Sequence, residues 1–314
     1  MRRGNGMLKN VVIIANPGSG KGLAPDYASE LSEVLKSTHG SKIELRETTE
    51  VGDAEEWAKS AKSEGFDTVI CLGGDGTVNE VINGLMAVKE PPVFSFVPIG
   101  TENDLGRVLG FDMNPDQAVE QFKDMKEDTI DIGQVNDKYF MDVVAVGDIP
   151  TAVMETESEK KNKFGFFAYV LDGLKALVDG DLKKYQIKNS AGNLYEVNSH
   201  ALLVAMTSSI GGAENLIEHR EYNDGFFQFV ALKGNLLEST IATLVNDGGV
   251  PKGLVYDDNL LAFSDDFVSI ELMEENLDEK IYSNVDGDEG PVLPLKIRIH
   301  KQALKVLRPR IQED

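Results

Sequence analysis

The stretch TVICLGGDGTVNEVING, residues 68–84, decides the fold. Thr68-Val69-Ile70-Cys71-Leu72 is a short apolar run of the length of a buried strand. Gly73-Gly74-Asp75-Gly76 breaks it with a turn. Beyond the turn, Val78, Val81, Ile82 and Leu85 recur at helical spacing and mark one apolar face of a helix. A strand that runs through a glycine turn into a helix is the repeating unit of a parallel α/β sheet.

The same unit recurs on both sides. Upstream, Val11-Val12-Ile13-Ile14 ends in Asn16-Pro17-Gly18, and Tyr27, Leu31, Val34 and Leu35 follow at helical spacing. A strand-like stretch at 42–46 precedes a second helical set, Ala54, Trp57, Ala58 and Ala61. Downstream, Val93-Phe94-Ser95-Phe96-Val97 ends at Pro98-Ile99-Gly100. Residues 1–130 therefore read as a doubly wound, mostly parallel α/β domain.

From about Thr129 the rhythm changes. Short runs with period-2 alternation predict strands at 139–146, 182–188, 201–206, 226–232, 268–272, 280–285 and 295–299. One helix interrupts them, with Phe167, Val170, Leu171 and Leu174 on one face. This pattern predicts an antiparallel β-sandwich domain over residues 131–299. The basic tail holds the strand-like Leu304–Leu307, and residues 300–314 are expected to return to the first domain.

Composition narrows the function. The chain has 314 residues, 53 acids against 31 bases, and a net charge of −22. That balance excludes a general nucleic-acid binder, which needs basic surface to displace counterions. Cys71 is the only cysteine, so there is neither a disulfide framework nor a multi-cysteine metal site. No apolar run approaches the ~18 residues of a membrane-spanning helix. A reducing cytoplasm is the expected compartment.

Three glycine-rich turns follow three strands: Asn16–Gly22 (NPGSGKG), Gly73–Thr77 (GGDGT) and Gly100–Arg107 (GTENDLGR). In an open α/β sheet, ligands bind beyond the carboxyl ends of the strands. Glycine lets backbone N–H groups approach a phosphate, and the helix after Thr77 adds its positive end. The first turn is not a Walker A loop, because Lys21 is followed by Gly22. Three such turns at successive strand ends point to one phosphate-handling crevice.

Taken together, Asn16–Gly22, Gly73–Gly84 and Pro98–Arg107 resemble the signature of the diacylglycerol kinase catalytic family. DIGQV at 131–135, NDGF at 223–226 and NVDGDEGP at 284–291 extend the likeness. The compact length is most similar to the bacterial soluble members. The resemblance implies an N-terminal nucleotide-binding domain, a C-terminal lipid-substrate domain and an active site in the cleft between them. It implies ATP and magnesium as cofactors and a lipid alcohol, diacylglycerol first, as acceptor. By the same likeness, Asn16, Pro17, Gly18, Ser19, Gly20, Lys21, Gly22, Thr49, Gly73, Gly74, Asp75, Gly76, Thr77, Asn79, Glu80, Thr101 and Asn103 contact the nucleotide. Thr48 is the one-residue alternative to Thr49.

The acids follow from the resemblance too. Asp75 and Asp104 lie closest to the phosphates. The family's DGE places its proton acceptor two residues after the aspartate. Here that register holds Asp288, the favoured base, with Glu289 next to it as the alternative, and Asp286 orients the base or helps bind metal. A second, structural magnesium site is implied at Glu221, Asp224 and the carbonyl of Phe226; the plain alternative is an Asn-Asp-Gly hairpin turn.

The alternatives are a kinase for another lipid alcohol such as a sphingoid base or monoacylglycerol, an enzyme of the NAD-kinase kind, and an inactive nucleotide- or lipid-binding regulator. A lipid kinase must meet a membrane. Lys160 to Phe167 is the basic, aromatic stretch that would dock transiently on the inner face of the cell membrane. Edge strands leave room for a homodimer.

Overall fold

The computed structural model describes residues 7–100, 103–147, 182–206, 221–233, 253–273 and 280–310. It divides into two compact units, Met1–Ile130 with Gln302–Asp314, and Asp131–Lys301.

The first unit alternates strand and helix: β1 (Asn10–Ala15), α1 (Ala24–His39), β2 (Lys42–Glu47), α2 (Asp53–Ala61), β3 (Thr68–Gly73), α3 (Asp75–Met86), β4 (Val93–Pro98), α4 (Asp104–Leu109) and α5 (Pro115–Gln121). The sheet order is β2-β1-β3-β4 with every pair parallel. Strands buried on both faces need continuous apolar runs, and all six residues of β3 and of β4 are buried. The order reverses between β1 and β3. That switch point puts the turns after β1 and β3 side by side at the carboxyl edge, with the turn after β4 next to them. Gly84 sets how closely two helices pack: a Cβ there would lie 2.2 Å from the Glu55 carbonyl oxygen of α2.

The second unit is built from β5 (Met125–Val135), which begins in the first unit, then β6 (Lys138–Phe140), β7 (Val143–Gly147), β8 (Lys183–Asn189), β9 (Leu194–Ala205), β10 (Phe227–Lys233), β11 (Val255–Tyr256), β12 (Leu260–Asp265), β13 (Phe267–Leu272), β14 (Tyr282–Val285), β15 (Asp288–Val292) and β16 (Leu295–Pro309). Its ladders are antiparallel. Alternation sends Val144, Val146, Leu202, Val204, Phe229, Phe263 and Val285 to one face, where they form its core. β16 ends in the first unit, where Val306 pairs parallel with Phe94 of β4. There Arg308 and Arg310 meet Asp128 and Asp124 at 2.7 and 2.9 Å.

The structure amends several boundaries. The run expected at 139–146 is two strands, β6 and β7, because the N–H groups of Met141, Asp142 and Val143 turn to the Asp286 carboxylate instead of continuing a ladder. β9 begins seven residues earlier than its apolar part, since Leu194–Ser199 pairs with β8 despite its polar sequence. β5, β11, β12 and β15 were not anticipated. The helix expected around Phe167 and the basic stretch at 160–167 lie outside the described residues.

Candidate active site

The three glycine turns of the first unit are joined by their own hydrogen bonds. Asn16 links two of them: its Oδ1 accepts from Gly18 N–H at 2.9 Å, and its Nδ2 donates to Thr77 Oγ1 at 3.2 Å. Ser19 Oγ accepts from Gly74 N–H at 3.3 Å. Gly20, Lys21 and Gly22 all have positive φ, at 61°, 58° and 84°. Three left-handed residues in a row turn the chain sharply after Pro17, and only Lys21 carries a Cβ there.

Glycine is required where the strands end. A Cβ on Gly73 would lie 2.5 Å from Thr77 Cβ. A Cβ on Gly100 would lie 2.8 Å from Gly74 Cα. Asn103 is buried with φ 52° and holds the third turn shut; its Oδ1 takes the Gly100 N–H and its Nδ2 donates to the Gly100 carbonyl, both at 2.9 Å. The Asn103 N–H in turn donates to Asp75 Oδ2 at 3.3 Å. Thr101 lies outside the described residues, and Asp104 is described only as the first residue of α4.

α3 starts at Asp75 with no side-chain cap. Its first-turn N–H groups have no intrahelical carbonyl to bond, and the helix dipole favours an anion there. The exposed Gly18 and Gly76 border the same turns without side chains. This is a cradle that Cβ atoms would fill, and its chemistry fits a phosphate chain. Of the other expected nucleotide residues, Thr49 gives both its N–H and its hydroxyl to Asp53, at 2.7 and 3.0 Å. Those N–H donors, from Thr49 and then Glu50, hold the Asp53 carboxyl below its ordinary range. Asn79 Oδ1 accepts from Asn83 Nδ2, and Glu80 accepts from Gly52 N–H.

In the second unit the acids lie on one hairpin. β14 and β15 are joined by Asp286-Gly287, with φ of 50° and 94°, so both loop residues are left-handed as a type I′ turn requires. Asp286 is a clamp: its two oxygens accept N–H groups from Met141, Asp142 and Val143 at 2.8, 3.0 and 2.8 Å. Asp288 and Glu289 follow it, both exposed. Asp288 lies opposite Val285 and Glu289 opposite Asn284, so the two acids leave the hairpin on opposite faces.

Glu221, Asp224 and Phe226 share one turn held by protein groups. Asp224 Oδ1 accepts from Phe226 N–H at 3.0 Å, and Asp131 Oδ2 accepts from Gly225 N–H at 2.6 Å. The Lys301 ammonium lies 3.3 Å from the Asp224 carbonyl. Among the described residues, no three acidic, histidine or cysteine side chains converge. Two carboxylates and a carbonyl oxygen are hard donors of the kind that magnesium takes together with water. The hydrogen bond from Gly225 to Asp131 ties the DIGQV and NDGF segments together.

A parallel sheet whose adjacent carboxyl ends hold a glycine cradle for phosphates, followed by an antiparallel β unit bearing an acidic hairpin, defines a nucleotide-using phosphotransferase of the lipid-kinase kind. The chain belongs to the diacylglycerol kinase catalytic-domain family, whose profile matches residues 10–135. It is 32% identical over 292 residues to the diacylglycerol kinase of Bacillus subtilis (strain 168), covering 91% of this chain and 92% of that protein. It is 30% identical over 309 residues to the diacylglycerol kinase of Staphylococcus aureus (strain JH9), covering 96% and 93%. A crystal structure of a diacylglycerol kinase from Bacillus anthracis str. Sterne shares the fold, with a TM-score of 0.74, 20% identity and coverage of 97% and 98%. A second structure from that organism reaches a TM-score of 0.81 at 21% identity, covering 98% of each chain.

Proposed function

We propose that this chain transfers the γ-phosphoryl group of ATP to the free hydroxyl of diacylglycerol, giving phosphatidate. The observation that carries the reading is the bonded set of three glycine turns, which leaves room for phosphates where side chains would otherwise stand. The names of the two relatives support the acceptor.

The mechanism follows from these residues. Phosphoryl transfer needs positioning and charge neutralisation more than covalent chemistry. Backbone N–H groups of the Asn16–Gly22 and Gly73–Thr77 turns orient the donor, and the start of α3 favours its charge. Magnesium, when bound with the nucleotide, would offset phosphate charge beside Asp75. A hairpin carboxylate takes the proton from the acceptor hydroxyl as its oxygen bonds to phosphorus and ADP leaves. The family register gives that role to Asp288. Asp286, spent on three N–H groups, fixes the hairpin. No helix among the described residues is long and apolar enough to cross a membrane. Because the acceptor of this reading is a lipid, the enzyme would meet it at the membrane surface.

The test is transfer of label from γ-labelled ATP, with magnesium, to a panel of micellar lipids and NAD. Label in phosphatidate that Asp288→Asn abolishes supports both acceptor and base. Loss only with Glu289→Gln moves the base by one residue. Label in another lipid replaces the acceptor, and no label in any acceptor removes the reading.

A further inference from the structure

Two unmatched groups lie side by side on the acidic hairpin. Asn284 is 5% exposed. Its Oδ1 accepts from Gly287 N–H at 3.0 Å, and only the oxygen of the amide can do so. That bond fixes the amide orientation, so the other end is Nδ2. This Nδ2 is buried and has no hydrogen-bond partner. Buried donors are nearly always paired, and an orphan costs about 1–3 kcal/mol.

Its cross-strand neighbour is Glu289. The turn spans two residues, so Val285 and Asp288 flank it as the hydrogen-bonded pair, and Asn284 and Glu289 form the next, non-hydrogen-bonded one. In such pairs the side chains approach most closely, with Cβ atoms about 4.5–5.5 Å apart. Glu289 is exposed, and among the described residues its carboxylate makes no hydrogen bond or ion pair, only its backbone carbonyl accepting from Lys138. A change of rotamer, which an exposed side chain makes readily, brings that carboxylate onto the amide. Asp288 leaves on the other face and lies beyond this donor's reach.

We infer that Asn284 is a positioning residue: its Nδ2 donates to the Glu289 carboxylate and holds that side chain on the face of the hairpin away from Asp288. The inference rests on the phosphoryl-transfer reading for its effect on rate, but the bond itself does not depend on turnover. The charge-assisted bond joins a donor without an acceptor to an acceptor without a donor. It leaves Asp288 as the acid free to meet the hydroxyl.

The test uses Asn284→Asp, which keeps an oxygen for Gly287 N–H and removes the donor, together with Glu289→Ala and the double variant. In the full-length protein, the Asn284 side-chain amide protons should resonate downfield and exchange slowly in NMR spectra, and Glu289→Ala should abolish both. Asn284→Asp provides the assignment. In the transfer assay each single variant should lower kcat about tenfold at unchanged KM for ATP, and the double variant should lose no more than either single. An amide signal unmoved by Glu289→Ala overturns the inference, as does a double variant whose loss is the product of the singles. Absence of transfer by wild type removes the functional reading instead, and the NMR comparison still decides the bond.

Discussion

Gly74 and Gly100 meet backbone to backbone across the ends of β3 and β4. A Cβ added to Gly100 would lie 2.8 Å from Gly74 Cα and 2.8 Å from Asn103 Oδ1. Neither neighbour is the free end of a flexible chain, so Gly100→Ala must push two turns apart. Overpacking of this kind costs about 1–3 kcal/mol. The larger effect should fall on the nucleotide, because the parted N–H groups no longer converge. Calorimetric titration with a non-hydrolysable ATP analogue should show at least a tenfold weaker Kd with the fold retained. An unchanged Kd would detach this contact from nucleotide binding.

Asn103 combines a left-handed backbone with two bonds to one peptide unit of Gly100. Substitutions separate these contributions. Asn103→Asp keeps the acceptor, Asn103→Gly keeps only the conformation, and Asn103→Ala keeps neither. Each unpaired buried group costs about 1–3 kcal/mol. Chemical denaturation should therefore rank stability as wild type, Asp, Gly, Ala. Equal stabilities for the Gly and Ala variants would show that the turn is not conformationally constrained.

Asp286 receives three N–H groups from a segment more than 140 residues away in sequence. Asp286→Ala leaves all three unpaired, and hydrogen bonds to a charged group are each stronger than neutral ones. The variant should lose about 3 kcal/mol in urea denaturation. Asp286→Asn, with one acceptor left, should lose less. A variant as stable as wild type but inactive would instead give Asp286 a direct part in the chemistry.

These contrasts show what could be read before the structure. β1, β3 and β4 were legible because a strand buried on both faces must be apolar throughout, and the glycine turns after them follow from the same unit. β5 was hidden because its first half, Met-Lys-Glu-Asp, carries the charges that meet Lys305 and Arg308. β15 was hidden by a glycine and a proline within five residues. The Asp286 clamp left no local signal, because its partners belong to another strand. Asn284 stood inside a recognised motif without a role, and only its burial and register give it one.

Asp53 predicts a pH effect. Its carboxyl is held below the ordinary range by N–H donors from Thr49 and Glu50. A depressed folded pKa gives stability that is present above the unfolded value near 3.8 and lost as pH falls through the folded value. Asp53→Asn should then lower the thermal midpoint at neutral pH and converge with wild type in strong acid. Parallel curves throughout the acid range would show that these bonds do not favour the charged form.

Cys71 offers a native probe of the first unit. It is fully buried in β3, between Ile14 of β1 and Phe96 of β4. Burial pushes its thiol far above the ordinary range, and the Glu80 and Asp75 carboxylates add to the shift. Only the thiolate reacts, so a disulfide reagent must wait for β3 to open. As the chain's only cysteine, it makes the labelling rate a measure of that opening. A ligand that binds only the closed form at 100 times its Kd adds about 2.7 kcal/mol, a factor of about 100 in the open population. Saturating ATP with magnesium should therefore slow labelling by up to that factor, because β3 carries the Gly73–Thr77 turn at its end. A diacylglycerol micelle alone should leave the rate unchanged. Labelling that ATP does not slow, under conditions where ATP demonstrably binds, would place the nucleotide away from the β3 turn and overturn the assignment of the glycine cradle.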